Sequence, residues 1–301
     1  MFGVSASGKT CFLHAMSQVL RIARFGDIML QLIANRAQQQ KRLSEGYMQL
    51  AGGQWPQTSD KTEPFDFKVN MQCNGHFSEI IDSLIIQDYR GGILQEISDD
   101  SEEELNKLLN SFRGSSAIIF IIDGSTLINA MDPEDRDVCH RSNTNVLEQF
   151  SARTQIQFVE NIFMEYKRVE TDIPPILIAI SKSDVFASDF EKENGIQFIK
   201  DNLPSIFAVG SGLTAGITNM SLGENLGTDD NGNLIGTVSL KQDYNIHIPV
   251  IFGIYSELCY QYEEATEVGE KNGIAVCLNA LRSIFASKVQ LFINGKKARE
   301  V

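Results

Sequence analysis

The residues that could do chemistry begin at the amino terminus, where Gly3-Val4-Ser5-Ala6-Ser7-Gly8-Lys9-Thr10 matches G-x-x-x-x-G-K-[ST] without a gap. Glycines in such a loop let successive backbone N–H groups wrap a β-phosphate, which makes Gly3, Ser5, Ala6, Ser7, Gly8, Lys9, Thr10 and Cys11 the expected phosphate-binding set. Lys9 is expected to reach the β and γ oxygens, and the Thr10 hydroxyl to join the shell of a Mg²⁺ ion. A Gly/Ser turn without a ligand would not require a helix behind it, yet apolar positions continue at helical spacing through Cys11, Phe12, Ala15, Met16, Val19 and Leu20.

Two later segments could complete such a site. Asp88-Tyr89-Arg90-Gly91 closes the apolar run Ser83 to Asp88. A strand-terminal aspartate there would hold Mg²⁺ through water, and the Gly91 N–H would meet a γ-phosphate, so Lys9 and Gly91 are the candidate catalytic groups. Ser181-Lys182-Ser183-Asp184 comes directly after the apolar run Ile176 to Ile180. In isolation a D-x-x-G or a charged strand-to-helix loop is a common surface feature; their order behind a phosphate loop is what gives them meaning.

The elements that must position these residues alternate in type. Ile28 to Leu50 continues a helical pattern, so a long helical insertion is expected after the loop. Phe65, Phe67, Val69 and Met71 alternate as a half-buried strand, Ser83 to Asp88 reads as a more fully buried one, and His76 falls in the turn between them. Ala117 to Asp123 and Ile176 to Ile180 are continuous apolar runs of strand length, set between helical patterns at Glu102 to Phe112, Asn145 to Val169 and Phe190 to Asn202. Gly216 to Met220 is the candidate last core strand. Asn231-Gly232 marks a hairpin turn, Pro249 suits the first turn of a helix to about Glu264, and Gly273 to Ala286 forms one more helix. This alternation predicts an α/β fold of the P-loop NTPase type, a mostly parallel sheet with helices on both faces.

Composition narrows the partners. Of 301 residues, 43% are hydrophobic and 22% charged, ordinary for a globular chain with a sizeable core, and the formal net charge is -13. That field repels phosphate backbones and anionic lipid surfaces, which argues against nucleic acid while leaving room for a nucleotide held by a local cluster of N–H groups and one lysine. The cysteines, five and scattered, form no zinc-like or C-x-x-C spacing, which fits a reducing cytoplasm. No apolar run approaches the roughly 20 residues of a membrane helix, and with a functional motif at the amino terminus no signal peptide is expected.

Ser181-Lys182-Ser183-Asp184 resembles the N-K-x-D motif of the GTPase superfamily, with Ser181 in place of the asparagine. Together with the FGVSASGKTCFLHAM start, Trp55-Pro56 with its nearby threonines, the DYRGG turn and Ser221-Leu222-Gly223, it makes the chain similar to the translation-factor-related GTPases with a Ras-like G domain, most of all to the bacterial double-GTPase-like proteins. The resemblance covers about Met1 to Glu264. It implies a G domain over 1–264 with a helical insertion at about 20–55 and a hairpin insertion at about 224–240, and then a helical tail over 265–301. It implies that Asp184 accepts two hydrogen bonds from guanine, that the Lys182 stem packs on the base, and that a backbone N–H of Ser221-Leu222, or of Ser211-Gly212, reads the guanine carbonyl. Thr58, or Thr62, would add its hydroxyl to Mg²⁺ beside Thr10 and Asp88.

The functional expectation is a GTP-binding switch that takes Mg²⁺ with GTP or GDP and answers to a protein effector. Gly92 stands where related enzymes carry the glutamine that orients water, so hydrolysis should be slow or partner-assisted, with Arg90 and Gln95 the nearest other groups. The competing readings are a P-loop ATPase or kinase and a nucleotide-binding scaffold without turnover. One further expectation is structural: the sheet lacks the strand that normally feeds the phosphate loop, and a short apolar β-branched run is expected ahead of Met1.

Overall fold

The computed structural model describes residue 1 and residues 7–56, 63–73, 76–78, 81, 83–89, 102–131, 134 and 146–298. Gly8, at φ 87, turns the chain into helix α1 (Lys9–Val19), whose buried side carries Phe12, Leu13, Ala15 and Met16. After α1 the chain forms a hairpin of β1 (Ala23–Phe25) and β2 (Ile28–Ala34). The expected helix from Ile28 is therefore corrected: Ile28, Leu30, Leu32 and Ala34 are buried in alternation, the period of a strand. Only the second half of the 20–55 insertion is helical, as α2 (Ala37–Ala51). At the α1–α2 contact, a Cβ on Gly46 would lie 2.3 Å from the His14 imidazole, so only glycine admits that approach.

β2 pairs antiparallel with β3 (Glu63–Cys73), in register from Ile28 opposite Cys73 to Ala34 opposite Phe67. The far edge of β3 takes β4 (His76–Ser78) on its second half and β5 (Ser83–Asp88) on its first, both antiparallel. His76 thus lies in a strand opposite Cys73, not in a solvent turn. β5 is also less buried than its apolar run suggests, since Ile85 is 65% exposed.

After α3 (Glu102–Phe112) a second sheet begins with β6 (Ile118–Asp123) and α4 (Gly124–Ala130). It continues through α5 (Val146–Val169), β7 (Ile176–Ser181), α6 (Asp189–Asn202), α7 (Pro204–Phe207) and β8 (Thr214–Asn219). β6, β7 and β8 run parallel. Next come a ribbon of β9 (Gly223–Thr228) and β10 (Leu234–Val238), then α8 (Ile248–Glu264) and α9 (Val268–Phe285). β11 (Gln290–Ile293) returns antiparallel to β8 and carries the short β12 (Lys296–Lys297) on its outer edge. The segment after residue 264 is therefore not only a helical tail, and β8 is not the last strand of its sheet.

The fold is α/β with two sheets, one antiparallel and one mixed, instead of a single mostly parallel sheet. Connection length accounts for the hairpins and permits the parallel strands, while β3 returns antiparallel to β2 even after α2. Strands joined by short turns, as β1 to β2 and β3 to β4, can only reverse, whereas β6, β7 and β8 are separated by helices long enough to carry the chain back to the starting edge. One apolar core runs across both sheets under α1, α8 and α9, joining Leu30, Phe67 and Val69 to Ile121, Leu177 and Ala179. A second core, with Phe120, Ile178 and Ile180, covers the opposite face of the mixed sheet under α3, α5 and α6.

Between β5 and β6 lies a cleft of about 520 Å³, walled by Leu84, Ile85 and Ile86 on one side and Ala117, Ile118 and Ile119 on the other. Met1 bridges onto β5 at its upper end. Its nitrogen donates to the Gln87 carbonyl at 2.8 Å and its carbonyl accepts from the Tyr89 N–H at 3.2 Å. These two bonds straddle Asp88, the pattern of one parallel rung.

Candidate functional site

Parallel strands deliver their carboxyl ends to one edge of a sheet, and at that edge β6, β7 and β8 present Asp123, Ser181 and Asn219 side by side. The Ser181 hydroxyl is buried between two carbonyl oxygens, Ser7 at 2.7 Å and Ile122 at 3.1 Å. Ser7 itself is fully buried. A serine in the asparagine position of the motif thus still reaches the phosphate loop, because strand and loop approach closely enough for a short side chain.

Lys182 is held in the left-handed region at φ 51, which is costly for a side chain with a Cβ and is sustained by the contacts around it. Its ammonium forms an ion pair with Asp123, whose other carboxylate oxygen caps α4 by accepting the Ser125 N–H at 2.8 Å. Asp123 is 6% exposed and orients Lys182 although it belongs to none of the three sequence motifs. The available signal was its position as the last residue of the AIIFIID run. A Cβ at the next residue, Gly124, would sit 2.6 Å from the Ser181 carbonyl oxygen, so a glycine is required where β6 passes the Ser181–Asp184 turn.

Asp184 lies on the 3-10 turn Ser183–Val185. Its Oδ1 accepts from the Ser221 hydroxyl at 2.8 Å and its Oδ2 from the Leu226 N–H at 3.3 Å. The Ser221 loop is fastened in turn: Met220 accepts from the Ser183 N–H and donates to the Ile180 carbonyl, and the Ser221 N–H donates to the Tyr244 carbonyl at 3.0 Å. That amide is therefore committed inside the chain, and it is the Ser221 hydroxyl that faces Asp184. Leu222 is next on the same loop, its carbonyl accepting from the Ser239 N–H. Ser211-Gly212, the competing alignment, precedes β8 and so sits at the opposite edge of the sheet, where the Ser211 carbonyl accepts from Lys167.

On the phosphate side, α1 makes its first helical bond from Phe12 to the Gly8 carbonyl, so the N–H groups of Lys9, Thr10 and Cys11 precede the internal ladder and lie at the positive end of the helix dipole. Lys9 is buried, and burial pulls its pKa down to about 8, with the Asp88 charge opposing the shift. Burial pushes the Cys11 thiol up to about 11, which leaves it neutral at physiological pH. Asp88, the last residue of β5, is 4% exposed. The structure thus gathers Ser7, Gly8, Lys9, Thr10, Cys11, Asp88, Ser181, Lys182, Asp184, Ser221 and Leu222 into two linked clusters. Gly3, Ser5, Ala6, Thr58, Thr62, Arg90, Gly91, Gly92 and Gln95 lie outside the described residues.

A glycine-entered helix carrying G-K-T, joined through a buried serine to the Ser181–Asp184 turn on parallel strand ends, is the arrangement expected of a P-loop GTPase. More closely, residues 1–208 match the family model Double-GTPase 1, and since that span exceeds half of the chain, the chain belongs to the Double-GTPase 1 family. A comparison with curated proteins returned no match. Among the described residues no helix is long and apolar enough to cross a membrane.

Proposed function

We propose that the protein is a GTP-dependent switch that binds Mg-GTP and hydrolyses it slowly unless a partner assists. The observation that carries this reading is the 2.7 Å bond from the Ser181 hydroxyl to the Ser7 carbonyl, which couples the base-reading turn directly to the phosphate loop. In this reading Lys9 and the amides opening α1 hold the β- and γ-phosphates, Asp184 accepts the two guanine donors, and the Lys182 stem covers the base face while Asp123 steadies its ammonium.

The donor set near the triphosphate suits Mg²⁺. Thr10 supplies a hydroxyl and Asp88 a buried carboxylate, hard oxygen ligands for an ion that keeps waters and phosphate oxygens. Triphosphate oxygens and waters would complete the shell. When bound, the ion would neutralise charge on the β- and γ-phosphates. Thr58 and the Gly91 N–H are the proposed γ-phosphate sensors, and a protein effector reading their position is the proposed partner.

The deciding experiment is a titration with fluorescent GTP and ATP, with and without Mg²⁺, and then single-turnover hydrolysis. Tight binding of GTP over ATP and turnover far below the roughly 10 s⁻¹ of a median enzyme are expected. Equal affinity for the two would leave Asp184 as an ordinary loop residue, and complete absence of turnover would favour a nucleotide-binding scaffold, a reading to which Gly92 lends weight.

A further inference from the structure

The β9–β10 ribbon shares no ladder with either sheet. Only Leu234 and the leading Gly223 are buried, and Ile235 is 49% exposed, so apolar burial contributes little to holding the ribbon in position. Named hydrogen bonds tie it instead to two parts of the site. At one end the Leu226 N–H donates to Asp184 Oδ2. At the other the Leu234 N–H donates to the Gly53 carbonyl at 3.0 Å, and the Thr228 Oγ accepts from the Trp55 Nε1–H at 3.1 Å. Gly53 and Trp55 lie just past the end of α2 and lead directly into the segment that contains Thr58.

The contact with Asp184 has a specific chemistry. Its Oδ1 faces the Ser221 hydroxyl, whose single proton is shared with the nearer Gly223 carbonyl at 2.6 Å, and its Oδ2 accepts from the Leu226 amide. A guanine presents its own adjacent pair of donors, a ring N–H and an exocyclic amine, to the same carboxylate. The Leu226 amide therefore occupies one acceptor position that the base would use, and it belongs to a ribbon with little burial behind it.

We propose that the β9–β10 ribbon is an internal competitor for the guanine site that links its occupancy to Gly53 and Trp55 just past α2. This rests on the guanine reading of Asp184. Base binding displaces the Leu226 N–H from Asp184, the ribbon shifts, and its hold on Gly53 and Trp55 changes with it. A bound base then acts on Gly53 and Trp55 through the ribbon. The coupling is a contiguous chain of hydrogen bonds with two arrangements, which is the physical requirement for such a link.

Trp55 is the single tryptophan, so its emission reports on the far end of the ribbon. The test uses GDP, which lacks the γ-phosphate, with binding measured by calorimetry and Trp55 emission excited beyond the nucleotide's absorption. In the unaltered chain GDP should change the emission. Thr228→Val, an exposed substitution that removes the acceptor for the indole N–H, should at least halve that change and tighten GDP binding roughly five- to tenfold, because a ribbon held at one fewer point is easier to displace. GDP binding with no emission change, or a Thr228→Val chain that binds and responds as the original does, would overturn the proposal while leaving the guanine reading intact. No heat of GDP binding in the unaltered chain would overturn both.

Discussion

β7 and β5 each end in a residue of the site, yet they are built differently. All six residues of β7 are buried, with β6 and β8 paired on its two edges, so Ser181 is delivered to a fixed point 2.7 Å from the Ser7 carbonyl. β5 pairs with β3 along one edge, while the other faces the cleft, met near its end by Met1. A strand gripped on both edges and both faces preorganises the group at its tip, so the turn proposed to read the base is held in place by the fold itself. The proposed metal and γ-phosphate roles would draw on Asp88 at the tip of the less enclosed strand and on Thr58 and Gly91.

Loss of the phosphate anchor should cost the most. Lys9→Ala removes the one motif cation facing the β- and γ-phosphates, and triphosphate affinity measured by fluorescent-nucleotide titration should fall by about 10³-fold or more. Retained affinity would remove the phosphate-loop reading altogether. Asp184→Asn should be the next largest: about 10²-fold weaker GTP binding with a gain for xanthosine triphosphate, whose ring offers an acceptor where guanine has its amine donor. Because this change acts at the preorganised end, Mg²⁺ dependence should remain as before.

Gly124→Ala sharpens the comparison from the stability side. The added Cβ would press on the Ser181 carbonyl at 2.6 Å, both of them backbone-fixed, and should cost about 1–3 kcal/mol in denaturant unfolding along with some GTP affinity. If stability is unchanged, the β6–β7 end is less rigid than its burial implies.

Smaller still is a pH effect from the phosphate side. Burial holds Lys9 at about 8 in the free protein, whereas a triphosphate favours the charged ammonium. Binding above that pH must take up a proton, so affinity should decline by up to about tenfold per pH unit above 8 and stay level below it. The free protein behaves oppositely: the unfolded chain binds the proton more tightly, so this group's contribution to stability rises with pH between about 8 and its ordinary 10.5. Calorimetry at matched ionic strength checks both signs. The smallest expected change concerns β5. Joining about five apolar β-branched residues to the Met1 nitrogen would continue the rung at Asp88 down the cleft and pair both β5 and β6, raising the melting temperature by a few degrees. Identical melting with and without that segment would mean the cleft does not receive a strand.

Local pattern was enough for much of this molecule. The helix behind Gly8, the apolar strands ending in Asp88 and Asp123 and the run Ile176 to Ile180, and the hairpin turn at Asn231-Gly232 were legible because each is written in neighbouring residues: a glycine spacing, an apolar run, a turn pair. Of that turn pair, only Gly232 adopts positive φ. Where two periods fit the same residues, pattern failed. Ile28 to Ala34 satisfies helical spacing when read together with the residues up to Leu50, and only pairing with β3 in the fold makes it a strand. The division into two sheets was likewise invisible, since strand direction depends on which edges meet. So were the contacts that make the site: Ser181 with Ser7, Asp123 with Lys182, and Leu226 with Asp184 join residues 174, 59 and 42 positions apart. Sequence determined which groups could bind a nucleotide; tertiary structure decided which of them meet, because a hydrogen bond depends on distance in space and carries no periodic trace along the chain.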